Sequence, residues 1–469
     1  MTFNSFEYAL FLPVVVLIYW RLNHKSQNVL LLVASYLFYA AWDWRFLSLL
    51  VVSTLTDFVV ARRIESTTSS RARKALLTAS LGVNLGILGF FKYYGFFVES
   101  ALDLLERFGL DLQPTLLSIV LPVGISFYTF QTLSYTIDVY RGRSSAVSGL
   151  LTFAVYVSYF PQLVAGPIER AHRLMPQIQS RRQITVDSVH SGLALVLVGL
   201  FKKVVIADGA ALFVEPVFSD IAAQSSLSLL IGVYAFALQI YGDFSGYTDI
   251  ARGTSRLLGI ELTHNFAQPY MSRSITEFWR RWHISLSGWL RDYLYIPLGG
   301  NRQGRIATYR NILMTMLLGG LWHGAAWTFV AWGGLHGVAL IIHRLFLRGR
   351  KPNSSNPLRL ADLGKVLITF HLVALLWVPF RSESIGQAWD YLAGLLEGRA
   401  GLIDSNGAIL IVALGVLTVA VDAIQRTLRS RGGFGHLGWA PVGVSYGLMI
   451  VSVVIFSGGD AVPFIYFQF

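Results

Sequence analysis

Gly319-Gly320-Leu321-Trp322-His323-Gly324-Ala325-Ala326-Trp327 sits inside an apolar run from Ile312 to Ile342, so its histidine lies among residues suited to lipid or a protein interior. Arg302, Arg305 and Arg310 precede the run, and Arg344, Arg348, Arg350 and Lys351 follow it. Basic flanks on both sides place both ends in the cytoplasm. About 30 residues at about 1.5 Å each are too short for two full crossings. The expected geometry is a re-entrant turn broken at Gly319, Gly320 and Gly324, with His323 near mid-depth. An ionisable group there is costly, and function is its default reading. The plainer alternative is a neutral histidine hydrogen-bonded between helices.

Working outward, 54% of the 469 residues are hydrophobic and 14% charged, against about 25% charged in soluble proteins. The fold class that follows is an all-α, polytopic integral membrane protein, with roughly ten or more transmembrane or re-entrant helices. The net charge of +12 resides in short loops between apolar runs. Orientation and anionic lipid head groups account for it there, which excludes nucleic acid as a partner. The chain has no cysteine, and so no disulfide, thiol nucleophile or cysteine metal ligand. No basic residue precedes the first apolar run, Phe6 to Trp20, which reads as a retained span.

Basic residues fill the first and third loops (Arg21 and Lys25; Arg62, Arg63, Arg71, Arg73 and Lys74), while only Arg45 marks the second, so the N-terminus is expected outside. Asp57, within the third run, reads as a packing contact. Leu102 to Leu110 is expected to lie along the interface. The hydroxyl-rich helix up to Ile137 is expected to line an interior. Phe160 to Arg170, with two prolines and a glycine, is expected to be bent and non-helical.

Lys202 and Lys203 are expected to snorkel to the cytoplasmic interface, with phosphate binding as the second reading. Gln239 to Arg252 places Asp243, Ser245, Tyr247 and Asp249 at the end of a span, with Asp249 and Arg252 spaced as a helical ion pair. Ser274 and Glu277 form a capping box that starts a helix carrying Trp279, Trp282, His283 and Trp289. Its Arg280, Arg281 and Arg291 suit either the phosphates of a soluble donor or lipid head groups. Three further spans follow, around 366–380, 409–421 and 442–455, with Arg426, Arg429 and Arg431 in a cytoplasmic loop.

This set of residues allows acyl transfer, with a neutral imidazole removing the proton of an attacking hydroxyl. His323 fits that part, and His283 is placed to orient the acceptor or stabilise developing charge. No histidine pair has zinc-site spacing beside a glutamate, so no metal is expected.

Taken together, Leu121 to Gln131, Phe160 to Arg170, Asp243-Phe244-Ser245-Gly246-Tyr247, Phe278 to Ser287 and Leu321-Trp322-His323-Gly324 resemble the membrane-bound O-acyltransferase family. The likeness is to its bacterial branch that O-acetylates exported polysaccharides such as alginate. Phe464-Ile465-Tyr466-Phe467-Gln468-Phe469 also resembles tails in that branch. The resemblance implies one transmembrane domain, with N-terminal spans at 1–110, a catalytic core at 111–345 and C-terminal spans at 346–469. Its helices would surround a funnel and tunnel holding His323 as catalytic residue and His283 as the second histidine. Trp322, Trp282, Asp243, Ser245, Tyr247 and Ser285 would line the tunnel. The donor implied is acetyl-CoA or another cytoplasmic thioester, with no bound cofactor. The partners implied are membrane lipid, an extracytoplasmic acetyltransferase and an exported polysaccharide, at the bacterial inner membrane. From the residues alone, a transporter of an acyl donor or polymer unit, or a scaffold for an external transferase, stays open.

Overall fold

The computed structural model describes residues 1–110, 112, 117–164, 166–347, 359–430, 439–458 and 464–465, without the side chains of 347, 428–430 and 439–440. The basic residues Arg348, Arg350, Lys351 and Arg431, and the tail other than Phe464 and Ile465, lie outside the described residues. All regular structure among the described residues is helical. Among the described residues, seven helical stretches are long and apolar enough to cross a membrane, and Phe6–Tyr19 and Pro441–Phe456 are shorter apolar helices. The chain packs as two compact units, Met1–Val189 with Thr254–Thr263, and His190–Gly253 with His264–Phe469.

The first unit contains α1 (Phe6–Tyr19), α2 (His24–Asp43), α3 (Leu47–Ser66), α4 (Ser70–Leu88), α5 (Tyr94–Arg107), α6 (Ile125–Tyr140), α7 (Leu150–Ser158), α8 (Phe160–Leu163) and α9 (Ala171–Gln179). Asp57 of α3 accepts hydrogen bonds from the Ser80 hydroxyl, Asn84 Nδ2 at 2.8 Å and Thr136 Oγ1 at 2.9 Å. It thereby ties α3 to α4 and α6, the packing role expected of it. A π-helical turn at Gly89–Tyr93 carries α4 into α5. Leu102 to Arg107 is thus the end of a continuous helical stretch and not a separate helix.

Helix α6 is buried along nearly its whole length, as its hydroxyl content requires. It starts at Gly124, whose φ of 75° belongs to glycine. The 160–170 stretch is helical for one turn, because Pro161 occupies the first turn of α8, where its missing N–H costs nothing. Beyond Gly166 it runs without helix to Arg170. The amides of Gln131 and Gln162 both donate to the Tyr156 carbonyl, at 2.5 and 2.8 Å, which satisfies the backbone where α7 unwinds.

The second unit contains most of α10 (Val186–Phe201), α11 (Asp208–Ser219), α12 (Ser226–Leu257), α13 (Ile275–Arg281), α14 (Ile284–Leu290), α15 (Gly304–His323), α16 (Trp327–Leu347), α17 (Leu363–Arg381), α18 (Ile385–Leu396), α19 (Ser405–Ser430) and α20 (Trp439–Phe456). Helices α17, α19 and α20 are the three expected spans; α18 is an addition. Helix α10 passes through a π-helical turn, Lys202–Ala207, into α11. It crosses α12 so closely that a Cβ at Gly199 or Gly246 would overlap the other helix's backbone. Helix α12 runs unbroken for 32 residues, so the Asp243 to Arg252 stretch lies within a helix and not at a span's end.

Helices α15 and α16 form a hairpin with its apex at residues 324–326. Their 20 and 21 residues correspond to about 30 Å each. The arms are therefore longer than the apolar run, because the polar stretch from Gly304 to Asn311 is helical too. The added length is polar, and His323 sits at the apex, where the two arms meet.

Candidate active site

Helix α15 ends on His323, and Gly324 turns the chain out with an extended backbone (φ −151°, ψ 148°). The arms close tightly at this end. A Cβ at Gly320 would overlap the Phe329 carbonyl oxygen, one at Gly333 the Met316 carbonyl oxygen, and one at Gly324 the Phe329 ring. Only glycine lets these backbones approach so far. His323 is buried, edge-on to Trp322 and Trp332 with ring centroids 5.0 Å away, and to Phe380 at 5.6 Å.

His283 reaches the same place from a different element. The helix expected from Ser274 onward does start there, with Ser274 Oγ accepting the Glu277 N–H at 3.3 Å. The Glu277 carboxylate turns to the Arg273 N–H, at 3.0 Å, and does not close the box on Ser274. The helix then breaks into α13 and α14, and His283 occupies the break in a left-handed conformation, φ 43° and ψ 55°. That conformation costs an L-residue about 1–2 kcal/mol.

Asn265 holds the break together. Its backbone carbonyl accepts the Ile284 N–H at 2.9 Å. Its Oδ1 takes the Ser285 N–H at 3.1 Å, the Ser285 hydroxyl at 3.0 Å and His283 Nδ1 at 3.2 Å. The fully buried His283 ring meets Phe244 of α12 at 4.6 Å and Trp322 at 5.9 Å. Its centroid lies 6.3 Å from that of His323. Two histidines 40 positions apart in sequence share one aromatic enclosure.

The remaining candidates divide. Trp322 touches both imidazoles, and Ser285 shares the Asn265 oxygen with His283. Trp282 is buried against Trp377 and Phe266, at 5.0 Å each. Ser245 is buried on α12. Asp243 accepts the backbone N–H of Ile465 at 2.7 Å and pairs with Lys203 at 2.9 Å, while Tyr247 stacks on Phe464 at 4.3 Å. These two residues thus hold the described part of the tail against α12.

Among the arginines, Arg281 pairs with Glu277 at 2.5 Å and Arg291 with Asp292 at 2.8 Å, while Arg280 is exposed. The two pairs commit those guanidinium groups to neighbouring carboxylates.

Lys202 and Lys203 do not snorkel. Lys202 bridges Asp249 at 2.8 Å and Gln425 at 2.9 Å, and Lys203 bridges Asp208 at 2.7 Å and Asp243, all in buried surroundings. The expected Asp249–Arg252 pair is present at 3.3 Å, as one arm of this network. Carboxylates from α11 and α12 satisfy the lysines inside the fold, so neither ammonium needs an interface.

Sequence reasoning missed Asn265 and His336. His336 lies in the same apolar run as His323; it is fully buried and its Nδ1 accepts the Trp279 indole N–H at 3.3 Å. The criterion applied to His323, an ionisable group in an apolar run, would have found it. Asn265 gives no such signal, since an asparagine in a polar loop is unremarkable until its contacts are known.

The sequence is similar to those of known proteins. Residues 143–379 match the model of MBOAT, the membrane-bound O-acyltransferase family. The chain is 39% identical to the probable alginate O-acetylase AlgI of Pseudomonas putida over 100% of both chains. It is 45% identical to the probable alginate O-acetylase AlgI of Pseudomonas aeruginosa, over 90% of this chain and 80% of that one. Identity to the peptidoglycan O-acetyltransferase of Helicobacter pylori is 38%, over 82% of this chain and 78% of that one.

Proposed function

The chain belongs to the membrane-bound O-acyltransferase family, and on that premise we propose that its histidine enclosure moves an acetyl group from a cytoplasmic thioester toward an exported polysaccharide of the alginate type. The protein is a multi-pass membrane O-acyltransferase. In the reaction, His323 removes the proton of the attacking hydroxyl as its oxygen bonds to the thioester carbonyl carbon. The C–S bond then breaks, and the proton passes to the thiolate sulfur. The donor is acetyl-CoA or a similar thioester, and an extracytoplasmic partner completes transfer to the polymer at the bacterial inner membrane.

One observation carries this reading: His323 and His283 face each other at 6.3 Å in a buried aromatic enclosure. Such surroundings keep water from competing for the acyl group and suit a neutral imidazole base. The names of the relatives supply the substrate class. The test is release of labelled acetyl from acetyl-CoA by purified protein in lipid, comparing wild type with His323→Ala. Loss of transfer in a folded, membrane-inserted variant is the expected result. Near wild-type transfer by that variant would overturn the assignment of the base, and a wild type that moves thioester without cleaving it would favour a transporter.

A further inference from the structure

We infer that Asn265 is a positioning residue that fixes His283 as a hydrogen-bond acceptor in the reaction, with its Nε2 lone pair turned to use. Asn265 Oδ1 accepts the Ser285 backbone N–H at 3.1 Å. A backbone N–H can only donate, so the atom facing it is the amide oxygen, and the flipped orientation is excluded. The same oxygen lies 3.2 Å from His283 Nδ1. Between an oxygen acceptor and a ring nitrogen, the nitrogen must carry the hydrogen. In a neutral imidazole the other nitrogen is then a lone pair, since the bond made by one nitrogen sets the state of the other.

The consequence separates the two parts open to His283. Stabilising the oxyanion of an acyl intermediate needs a donor. Neutral His283 has spent its single N–H on Asn265, so it has none to give. Holding the acceptor hydroxyl needs a lone pair, which Nε2 supplies. A hydroxyl lodged between the two imidazoles can share its proton with both lone pairs in a three-centre bond before it leaves to His323.

The break in the α13–α14 helix serves this arrangement. The left-handed His283 and the Asn265 bonds to Ile284 and Ser285 pin the backbone that directly follows the ring, while the ring itself meets the same Asn265 oxygen. Strain of this kind persists where surrounding structure over-determines it. The assignment of a reaction role rests on the acyl-transfer reading; the tautomer does not.

Two measurements test it. Nitrogen-15 NMR of histidine-labelled protein reads the tautomer directly, with the His283 signals identified by their absence in His283→Gln. The expected result is a protonated Nδ1 and an unprotonated Nε2 in wild type, lost in Asn265→Ala. A protonated Nε2 in wild type overturns the proposal whatever the enzyme does.

The second measurement is acetyl transfer. Asn265→Ala should lower kcat at least about tenfold, a part of the roughly 10²–10⁴-fold that one proton-handling group supplies, with the KM for acetyl-CoA nearly unchanged. Asn265→Asp, which keeps an acceptor, should restore most of the rate. In the His283→Gln background, Asn265→Ala should add no further loss. Losses that multiply would show that Asn265 acts on the fold alone and would overturn the role. Absence of acetyl transfer in wild type would count against the acyl-transfer reading and with it the reaction role, while leaving the NMR result to stand separately.

Discussion

Two buried clusters of ionisable groups in the second unit are built on opposite principles. Lys202 and Lys203 are each bridged to two acceptors on other elements, with distances from 2.7 to 2.9 Å. His283 and His323 are set among the edges of aromatic rings, and Asn265 holds His283 through its Nδ1 at 3.2 Å. Burial is the same in both clusters. What differs is the kind of neighbour: the lysines are bound to carboxylates and an amide, whereas the histidines are enclosed by aromatic rings. An ionisable group in an apolar helix therefore has to be read through its neighbours before it is read as functional.

The largest effect that can break this contrast is on activity. His323→Ala should reduce acetyl transfer by about 10²–10⁴-fold, the worth of a general base, while thermal unfolding in detergent stays close to wild type. A variant that fails to fold would place His323 with the lysines as a structural group.

The reverse holds for the lysine network. Lys203→Met strands Asp208 and Asp243 without their cation, and removing one partner of a buried pair typically costs about 3–5 kcal/mol. The expected outcome is a large fall in the unfolding midpoint. A triple replacement, Lys202→Met with Asp249→Leu and Arg252→Leu, removes all three charges that meet at Asp249 and should cost much less than Asp249→Leu alone, because apolar replacement of a whole buried ion pair or triad is often close to neutral. Equal losses from the single and triple variants would mean that the network does more than hold the helices together.

Gly333→Ala tests how the hairpin presents His323. The added Cβ would meet the Met316 carbonyl oxygen, so the arms must separate. Overpacking of this kind costs about 1–3 kcal/mol. Transfer should fall together with stability, since His323 sits where the arms converge. Unchanged transfer at reduced stability would show that the enclosure tolerates movement of the apex.

These contrasts also mark what could be read from the sequence. The helical membrane class, most of the spans and both histidines were legible, because apolar runs and isolated ionisable residues are local signals. The saturation of the lysines was not: Lys202 finds Asp249 47 residues away and Gln425 223 residues away, and no local pattern encodes either meeting. The break at His283 was hidden for the same reason. Ser274 and Glu277 announce a helix, but it ends where Asn265, 18 residues before His283, offers its carbonyl and side-chain oxygen to the next turn. The turn of the hairpin at Gly324 was legible, but the polar first turns of α15 gave no sign that the helix extends beyond the apolar run. The π-helical turns at Gly89–Tyr93 and Lys202–Ala207 have no sequence signature of their own.

The smallest expected effect is the sharpest test of where the site ends. Ser274 caps α13 through a single bond of 3.3 Å to the Glu277 N–H. Losing such a cap costs typically about 1 kcal/mol. The Glu277 carboxylate stays bonded to Arg273 at 3.1 Å and to Arg281 at 2.5 Å, so the turn keeps its charged tether. The His283 break is held from the other side by Asn265, which Ser274→Ala does not touch. The variant should therefore unfold slightly earlier and transfer acetyl almost as fast as wild type. A loss of transfer approaching that of Asn265→Ala would mean that the start of α13 also sets the His283 ring, and the positioning elements would then extend from Asn265 through the whole of α13.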